Sequence, residues 1–189
     1  MFGPNTHLKV DYLYDYRNRL VGTRTYSAGA LTASTDIAID ALDRPVSQTS
    51  GGATTTFAYT GTSNRVATET KGSTVKSYGY GACGERLTIT DGANRYSYLY
   101  NQHGDVSLLV DQANTVKQAY GYTAYGGVDT TITKSAASFT DPNPYRYSAK
   151  RWDAATGTYD MGARRYNPAT TRWVQQDMYF GSVDDLGLS

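Results

Sequence analysis

The chain has 189 residues, and its 18 Lys and Arg against 17 Asp and Glu give a formal net charge of +1. This balance offers no strong electrostatic attraction to nucleic acid or to an anionic membrane, and no apolar run approaches the ~20 residues of a membrane-spanning helix. Tyrosine is far more frequent than phenylalanine, with 18 residues against 4. Tyrosine suits a pleated, half-buried surface and the abundant glycine suits tight turns, so the composition predicts an all-β protein. The N-terminal residues show no signal peptide, and the single cysteine cannot form an internal disulfide.

Short sequence blocks recur at a period near 21 residues over most of the chain. Each block begins with an aromatic or apolar residue, and a polar residue followed by an apolar one comes five or six positions later. The blocks align on Arg19, Arg44, Arg65, Arg86, Asp105 and Gly127. Successive members of this series are 25, 21, 21, 19 and 22 residues apart. A repeat unit of this size cannot bury its own apolar face, so neighbouring units must stack.

Within each block the residues alternate as they do in β-strands. Tyr96, Tyr98 and Tyr100 illustrate the pattern, because period-two spacing places their rings on one face. A turn containing Gly, Asn or Asp follows, and then an outgoing strand such as residues 86–90. The pattern predicts antiparallel hairpins, two strands per repeat, stacked in a curved or spiralling open sheet with tyrosine ladders across the strands. The less regular stretches are residues 28–34, 50–56 and 130–144, and the prolines of the last one predict a loop.

The densest motif lies at residues 143–177, where aromatic rings and arginines are interleaved. The rings belong to Tyr145, Tyr147, Trp152, Tyr159, Tyr166 and Trp173. The cations belong to Arg146, Arg151, Arg164, Arg165 and Arg172. Apolar residues do not recur here at helical spacing, and turn signals at Thr156-Gly157 and Asn167-Pro168 divide the stretch into strand-length pieces. The motif therefore predicts successive hairpins with rings packed on one face and arginines extended beside them.

The repeated blocks, with Tyr-Asp at the start and Arg-Leu downstream, resemble the YD repeats of RHS proteins, a family that includes the B–C shells of insecticidal Tc toxins and the teneurins. Residues 143–177 resemble the start of the RHS repeat-associated core domain. The matching positions are Asn143, Pro144, Tyr145, Arg146, Tyr147, Lys150, Thr156, Gly157, Tyr159, Arg164, Arg165, Tyr166, Asn167, Pro168, Arg172, Trp173 and Asp177. The resemblance divides the chain into YD repeats at residues 1–142 and a truncated start of the core domain at residues 143–189. The structural core motif that it implies consists of Tyr145, Arg146, Tyr147, Gly157, Tyr159, Arg165, Tyr166, Pro168, Arg172 and Trp173.

By this resemblance, the repeats form a continuous β-sheet strip that spirals into a hollow shell around a toxin polypeptide, and the core domain plugs one end. The family's core domain is also an aspartyl autoprotease built around Asp-Pro motifs. Here Met178 replaces the proline after Asp177, and the chain ends at Ser189, before the family's second acidic residue and second motif. One carboxylate without a partner cannot divide acid and base roles, so Asp177 is only a vestigial catalytic candidate. We expect no self-cleavage and no other enzyme activity.

Other candidate sites have simpler structural interpretations. The glycines of residues 79–84 match a dinucleotide-binding fingerprint, but a strand follows them where that motif requires a helix, which indicates turn residues. Cys83 with His103 or His7 lacks an orienting third group for nucleophilic catalysis, and two histidines with one cysteine are too few for a typical closed zinc site. The sequence therefore predicts no cofactor and no metal.

The arginines and tyrosines leave a binding interpretation open. Arginines interleaved with rings could bind anionic polysaccharide or single-stranded nucleic acid, yet Asp153, Asp160 and Asp177 lie among them. Pairing of arginines with rings and carboxylates inside the fold is the ordinary arrangement. Rows of tyrosine could also stack on sugars, although rings at alternate strand positions more often form a core.

Together these patterns predict a structural function, as a segment of a YD-repeat shell that encapsulates a toxin or effector polypeptide. The alternatives are an extracellular carbohydrate-binding or adhesion module and a remnant of the autoprotease. About six repeats form too short a strip to close a chamber, so the sheet edges are expected to associate with another copy or with neighbouring YD repeats. The expected location is secreted or cell-surface, as part of a larger bacterial polypeptide of the polymorphic-toxin type, without nucleic-acid binding or membrane insertion.

Overall fold

The structure, a computed structural model, describes residues 8–162 and 164–176, and it forms two antiparallel sheets there. The long sheet has twelve strands in sequence order, so each strand pairs with the next one along the chain. The second sheet has four strands, also in sequence order. The predicted all-β fold of stacked antiparallel hairpins is confirmed. Within the described ranges no helix has the length and apolar character needed to cross a membrane.

The strands of both sheets are short, as expected for a chain of hairpins. The long sheet consists of β1 (Leu8–Tyr14), β2 (Leu20–Ser27), β3 (Ala30–Ile39), β4 (Pro45–Ser50), β5 (Ala53–Tyr59), β6 (Val66–Lys71), β7 (Thr74–Tyr80), β8 (Arg86–Asp91), β9 (Asn94–Tyr100), β10 (Val106–Asp111), β11 (Val116–Ala119) and β12 (Lys134–Ser135). The second sheet consists of β13 (Arg151–Asp153), β14 (Thr158–Asp160), β15 (Arg165–Asn167) and β16 (Arg172–Trp173). A 3-10 turn at Tyr147–Ala149 precedes β13.

The turn at the start of the first two repeats is built on one aspartate. Asp15 Oδ1 accepts the backbone N–H groups of Arg17 and Arg19 at 2.9 Å, and its Oδ2 accepts the Arg19 Nε–H at 2.7 Å. Asp40 makes the same set of contacts in the next repeat, with Arg44 as its cation. In both turns an aspartate at the first position and an arginine four residues later close the turn together.

Five of the turns between repeats are closed by a backbone bond to the C=O of their last residue, and the residue before it has a left-handed backbone. Its φ is 59° at Asn18, 62° at Asp43, 89° at Gly84, 84° at Gly104 and 80° at Gly126. Glycine adopts this conformation without steric cost, and asparagine and aspartate tolerate it better than other residues. This requirement explains why Asn, Asp or Gly recurs there.

The turns also correct the sequence alignment of the fourth repeat. The backbone bond that closes the first turn joins Asp15 N to Arg19 O, and its equivalent in the fourth turn joins Gly81 N to Glu85 O. The residue equivalent to Arg19 is therefore Glu85, whereas the sequence alignment predicted Arg86. The shift by one residue places Arg86 at the start of β8, where its side chain lies against the rings of the interface between the sheets.

Two of the three stretches with a weak repeat pattern are regular strands in the structure. Residues 28–34 contain a tight turn and the start of β3, and residues 50–56 contain a tight turn and the start of β5. Serine, threonine and alanine replace rings there, so the aromatic period is lost while the strands remain. Residues 130–144 were predicted to be a loop, but Lys134–Ser135 forms β12 and pairs with β11.

Tyrosines at the ends of β5, β7 and β9, together with Tyr122 after β11, link each repeat to the one before it. Tyr59 Oη donates to Pro45 O at 2.6 Å, and Tyr80 Oη donates to Val66 O at 2.9 Å. The equivalent bonds further along are Tyr100 Oη to Arg86 O at 2.5 Å and Tyr122 Oη to Val106 O at 2.8 Å. Burial raises the pKa of Tyr100 to about 12, so its hydroxyl stays protonated and able to donate near neutral pH. Period-two alternation in the sequence predicts on which face of the strand these rings lie. It does not predict that their hydroxyls bond to the preceding repeat.

One face of the long sheet is buried beneath the C-terminal segment, residues 143–176. This covered face is defined by Phe57, Tyr78, Ile89 and Tyr98, which belong to the main apolar cluster. Alternation along a strand separates it from the opposite face, since Tyr98 is 5% exposed and the adjacent Leu99 is 44% exposed. The long sheet thus has one buried and one open face.

Candidate functional site: the interface between the two sheets

The contacts between the C-terminal segment and the covered face begin at Tyr145. Its side chain is 4% exposed, and its ring meets that of Tyr78 edge-on, with centroids 5.2 Å apart. Arg86 Cζ lies 3.1 Å from the centroid of the Tyr145 ring and 5.4 Å from that of Tyr78. A guanidinium over the face of a tyrosine is attracted by the ring quadrupole, so Arg86 helps to hold the first ring of the segment on the sheet.

The Asn143 side chain ties the entry of this segment to two tyrosines of the long sheet. Its Oδ1 accepts Tyr98 Oη–H and the Tyr145 backbone N–H, each at 2.8 Å. Its Nδ2 donates to Tyr120 Oη at 3.0 Å and to Tyr145 O at 2.6 Å. Because Asn143 is 3% exposed, these bonds replace the water that its amide would otherwise bind. The residue lies at the end of the predicted loop, and nothing in the spacing indicated its burial.

Two buried ion pairs fix the second sheet. On β13, Arg151 Nε and Nη2 contact the Glu69 carboxylate at 3.2 and 3.3 Å. On β15, Arg165 Nη1 lies 3.0 Å from Asp153 Oδ2, and Gln48 Nε2 is 2.9 Å from both Asp153 oxygens. Burial alone would raise the pKa of Asp153, but Arg165 and the Gln48 amide hold it below its ordinary 3.8. The carboxylate is therefore charged at neutral pH.

An aromatic cluster lies beside these pairs. Tyr159 is fully buried, its ring centroid is 4.8 Å from that of Trp152, and its Oη donates to Gly126 O at 3.1 Å. Tyr147 extends the cluster, with its ring 6.0 Å from Tyr159 and 5.4 Å from His103. The turn at residues 123–127 is thus attached to β14 through the Tyr159 hydroxyl, and the ring of Tyr147 connects the cluster to His103.

Polar contacts around the 3-10 turn complete this part of the interface. Asp105 Oδ1 accepts the Ser148 backbone N–H at 2.7 Å, and Asp105 is 5% exposed. Arg146 Nη2 lies 3.4 Å from Asp141 Oδ2, and its Cζ is 5.5 Å from the Tyr120 ring centroid. Burial would raise the pKa of Asp105, but hydrogen bonds to its carboxylate, above all the one from the Ser148 N–H, hold this pKa below its ordinary value.

The remaining residues of the predicted core motif lie in or beside β14–β16. Gly157 has φ of 66° and closes the turn before β14, and Pro168 lies in the turn between β15 and β16. Tyr166 packs against Trp173 at 5.5 Å, and Arg172 is exposed. The predicted succession of hairpins is present, although the arginines differ in placement, since some are buried between the sheets and others are exposed.

The C-terminal segment also reaches the first strand of the long sheet. Tyr14 Oη donates to Val174 O, and Asn18 Nδ2 lies 3.4 Å from Gln176 O. The segment therefore contacts residues from the first repeat to the last. Asp177, the vestigial catalytic candidate, lies outside the described residues.

Of the other candidate sites, the pair of Cys83 with His7 cannot be placed because His7 lies outside the described residues. Cys83 is exposed and makes no hydrogen bond to His103, whose Nδ1 lies 3.0 Å from Asp105 Oδ1. The glycines of residues 79–84 belong to the end of β7 and the turn before β8, so a strand follows them as predicted. Over residues 8–162 and 164–176, no cluster of three or more His, Cys, Asp or Glu is placed to hold a metal ion.

A cavity of about 440 Å³ remains between the sheets. The long sheet contributes Phe57 and Tyr59 to its wall, and the C-terminal segment contributes Tyr145 and Arg151. Its lining is rich in arginine and combines Arg19, Arg44 and Arg86 of the repeats with Arg151 and Arg165 of the C-terminal segment. The sequence did not identify Arg86, Gln48 and Glu69 as interface residues, because they lie far from that motif along the chain.

The geometry defines a class of protein, a meander of repeated hairpins with one face covered by a second, smaller sheet. No protein-family model matches the sequence, and no curated protein matches it. Solved structures do match in fold. They include the TcdB2-TccC3-Cdc42 crystal structure at a TM-score of 0.66, a Photorhabdus luminescens Tc holotoxin pore at 0.61 and the TcdB2-TccC3 crystal structure at 0.56.

In each comparison the identity is 16%, and the match covers 89% of this chain but 9% of the other chain. At this identity the likeness concerns the fold. The expected resemblance to the RHS and YD-repeat shell fold is confirmed at that level. The chain spans only a small part of the length of the shell structures that it matches.

Proposed function

We propose that this chain is a structural segment of a YD-repeat shell that encapsulates a toxin or effector polypeptide. The observation that carries the proposal is the twelve-stranded meander, whose outer strands β1 and β12 each pair on one side only among the described residues. An unpaired edge presents a row of N–H and C=O groups that further hairpins can extend. The fold likeness to TcdB2-TccC3 supports the same role.

Within this shell, the C-terminal segment acts as a plug rather than as a wall facing the cargo. Tyr78 and Tyr98 are at most 8% exposed, because residues 143–176 cover them. The same burial removes the covered-face rings from the carbohydrate-binding alternative, which would have to use exposed rings such as Tyr16 and Tyr125. The covered face is therefore filled by the chain's own second sheet, and cargo would lie beyond it in the rest of the shell.

The proposed function is non-catalytic. The interface carboxylates Glu69 and Asp153 are each held by an arginine, so neither is free to act as an acid or a base. Secretion or display at the cell surface, as part of a larger bacterial polypeptide, belongs to the same proposal. The expected partners are a toxin-like polypeptide and neighbouring YD repeats.

The test fuses an unfolded, protease-sensitive polypeptide to the C-terminus of the chain and measures its digestion. Enclosure predicts digestion roughly tenfold slower than that of the same polypeptide added separately. Because the strip is too short to surround a cargo alone, protection should appear only at concentrations where light scattering shows association of the chain.

Val10→Pro and Asp11→Pro are made as two separate variants of β1. Successive residues of a strand direct their N–H groups to opposite sides, so one variant removes a donor from the free edge and the other removes a donor from the ladder to β2. The variant that keeps the wild-type melting temperature is the edge variant, and it should remain monomeric and lose the protection. Digestion of the fused polypeptide at the unprotected rate, in a wild-type chain that has associated, would contradict enclosure.

A further inference from the structure

The cavity between the two sheets has more positive than negative side chains in its wall. Its volume of about 440 Å³ lies in the range of small-molecule sites. The cationic residues of the wall are Arg19, Arg44, Arg86, Lys150, Arg151 and Arg165. The acidic ones are Asp43 and Asp160. Whether this lining favours an anionic occupant depends on which of the cations is not already neutralised by a carboxylate.

Four of the six cations already have carboxylate partners. Arg19 contacts Asp15 at 2.6 Å and Asp43 at 2.7 Å. The other pairs are Arg44 with Asp40 at 2.8 Å, Arg151 with Glu69 at 3.2 Å and Arg165 with Asp153 at 3.0 Å. These ion pairs hold the wall in place, and they are not the groups that a ligand would need to satisfy.

Arg86 differs from these four arginines. In the described part of the chain it forms no ion pair with a carboxylate, and its nearest partners are the rings of Tyr145, Tyr78 and Tyr80. Its hydrogen bonds are long, 3.4 Å from Nη1 to Ala149 O and 3.3 Å from Nη2 to Tyr80 Oη. Its Nε is buried and has no hydrogen-bond partner among residues 8–162 and 164–176. A guanidinium has five N–H donors in a planar fork, so most of this capacity is poorly used.

A second polar group in the same wall also lacks a partner. The hydroxyl of Tyr145, a residue that is 4% exposed, is buried and forms no hydrogen bond within the part of the chain that the structure describes. Buried polar groups are nearly always hydrogen-bonded, and a desolvated cation without an anion is unfavourable. Among the described residues four buried polar side-chain atoms lack a hydrogen-bond partner, namely Tyr78 Oη, Arg86 Nε, Tyr145 Oη and Arg146 Nε. Only Arg86 and Tyr145 line the cavity, so a hydrogen-bond acceptor is missing at this part of its wall.

We infer that the cavity binds the oxyanion group, carboxylate or phosphate, of a small organic molecule, with Arg86 as its anchor. The planar guanidinium fork matches either oxyanion in a two-bond arrangement. Phe57 and Tyr59 give the wall an apolar part for the rest of the ligand. Asp43 and Asp160 disfavour a ligand with negative groups along its whole length, so one anionic end is expected.

The test titrates the whole chain with inorganic phosphate and, separately, with benzoate, at constant ionic strength with chloride as the reference anion. The readouts are the NMR resonance of the Arg86 Nε–H, identified by its loss in Arg86→Lys, and the melting temperature. Binding predicts a saturable shift of this resonance and a rise in melting temperature with one of the two probes. The probe that binds more tightly distinguishes a phosphate ligand from a carboxylate ligand.

Arg86→Gln should weaken the affinity roughly tenfold or more, because it removes the charge and the fork. The matched control is Arg95→Gln, which makes the same change of charge at an exposed position of β9 outside the cavity, and it should leave the affinity unchanged. The inference is overturned if neither probe gives a saturable shift beyond that of chloride, or if both variants weaken binding equally. Should Arg86→Gln fail to fold, the wild-type resonance decides by itself.

Discussion

The long sheet and the second sheet are held together by contacts of different range. In the long sheet each strand pairs with its neighbour in sequence, and tyrosine bonds such as Tyr80 to Val66 span 14 residues. In the second sheet the strands have two or three residues. Its main polar contacts reach back across the chain, 105 residues from Asp153 to Gln48 and 82 residues from Arg151 to Glu69.

This difference means that the two sheets should not depend on each other equally. Neighbouring hairpins stabilise one another locally, as in other repeat proteins. Strands as short as β13–β16 are not stable alone and need the covered face. Both tryptophans, Trp152 and Trp173, lie in the second sheet, so their fluorescence reports on it while far-ultraviolet circular dichroism mainly reports on the long sheet.

The largest expected effect follows from Asp153→Asn. The change leaves Arg165 as a buried cation without a carboxylate, which should lower the free energy of unfolding by about 3–5 kcal/mol. In urea titrations the tryptophan fluorescence should change at lower urea than the circular dichroism does. As a control, Asp36→Asn removes the ion pair of Asp36 with Arg24, whose side chains are 60% and 26% exposed, and should change stability by less than about 1 kcal/mol. Coincident transitions in Asp153→Asn would show that the sheets unfold as one unit.

Acidification should remove the same ion pair reversibly. The folded-state pKa of Asp153 is lowered from 3.8, so its contribution is complete above the unfolded pKa and is lost as the pH falls through the folded pKa. Stability measured by urea denaturation should therefore decline below about pH 4. The decline in stability should be smaller in Asp153→Asn than in the wild-type protein. An identical decline in both proteins would show that protonation of Asp153 does not cause it.

A smaller effect is expected from Asn143→Ala. The change removes the acceptor of the buried Tyr98 hydroxyl and of the Tyr145 backbone N–H, whereas the Tyr120 hydroxyl still donates to Asp141, and it should cost about 2–3 kcal/mol. Hydrogen exchange should become faster around residues 143–153 while the early strands β2–β6 are unaffected. Faster exchange throughout the long sheet would mean that the repeats depend on the plug.

The smallest effect is expected from Tyr80→Phe in the long sheet. It removes the hydroxyl bond to Val66 O and should cost about 1 kcal/mol in free energy of unfolding. Tyr16→Phe is the matched control, because Tyr16 is 93% exposed. If both changes leave the urea midpoint unchanged, the tyrosine bonds between repeats do not contribute to stability.

The sequence predicted the hairpins because alternation and turn residues are local properties. It also predicted that residues 143–177 contain hairpins, since their turn signals are local too. The sequence alignment of the repeats made Arg86 the equivalent of Arg19, one residue too late. An alignment based on arginine cannot detect that Glu85 closes the fourth turn. The buried roles of Asn143, Gln48 and Glu69 depend on which face the second sheet covers, and no local pattern encodes that choice.

The most direct test of the central claim, that this chain is part of a sheet that continues into further repeats, is amide hydrogen exchange in β1 (Leu8–Tyr14) at low and high protein concentration. Edge pairing predicts that the outward N–H groups of β1 exchange roughly tenfold more slowly at high concentration, and that whichever of the single variants Val10→Pro and Asp11→Pro blocks the free edge shows no such change. Equal exchange rates at both concentrations, in a chain that remains monomeric, would contradict the claim.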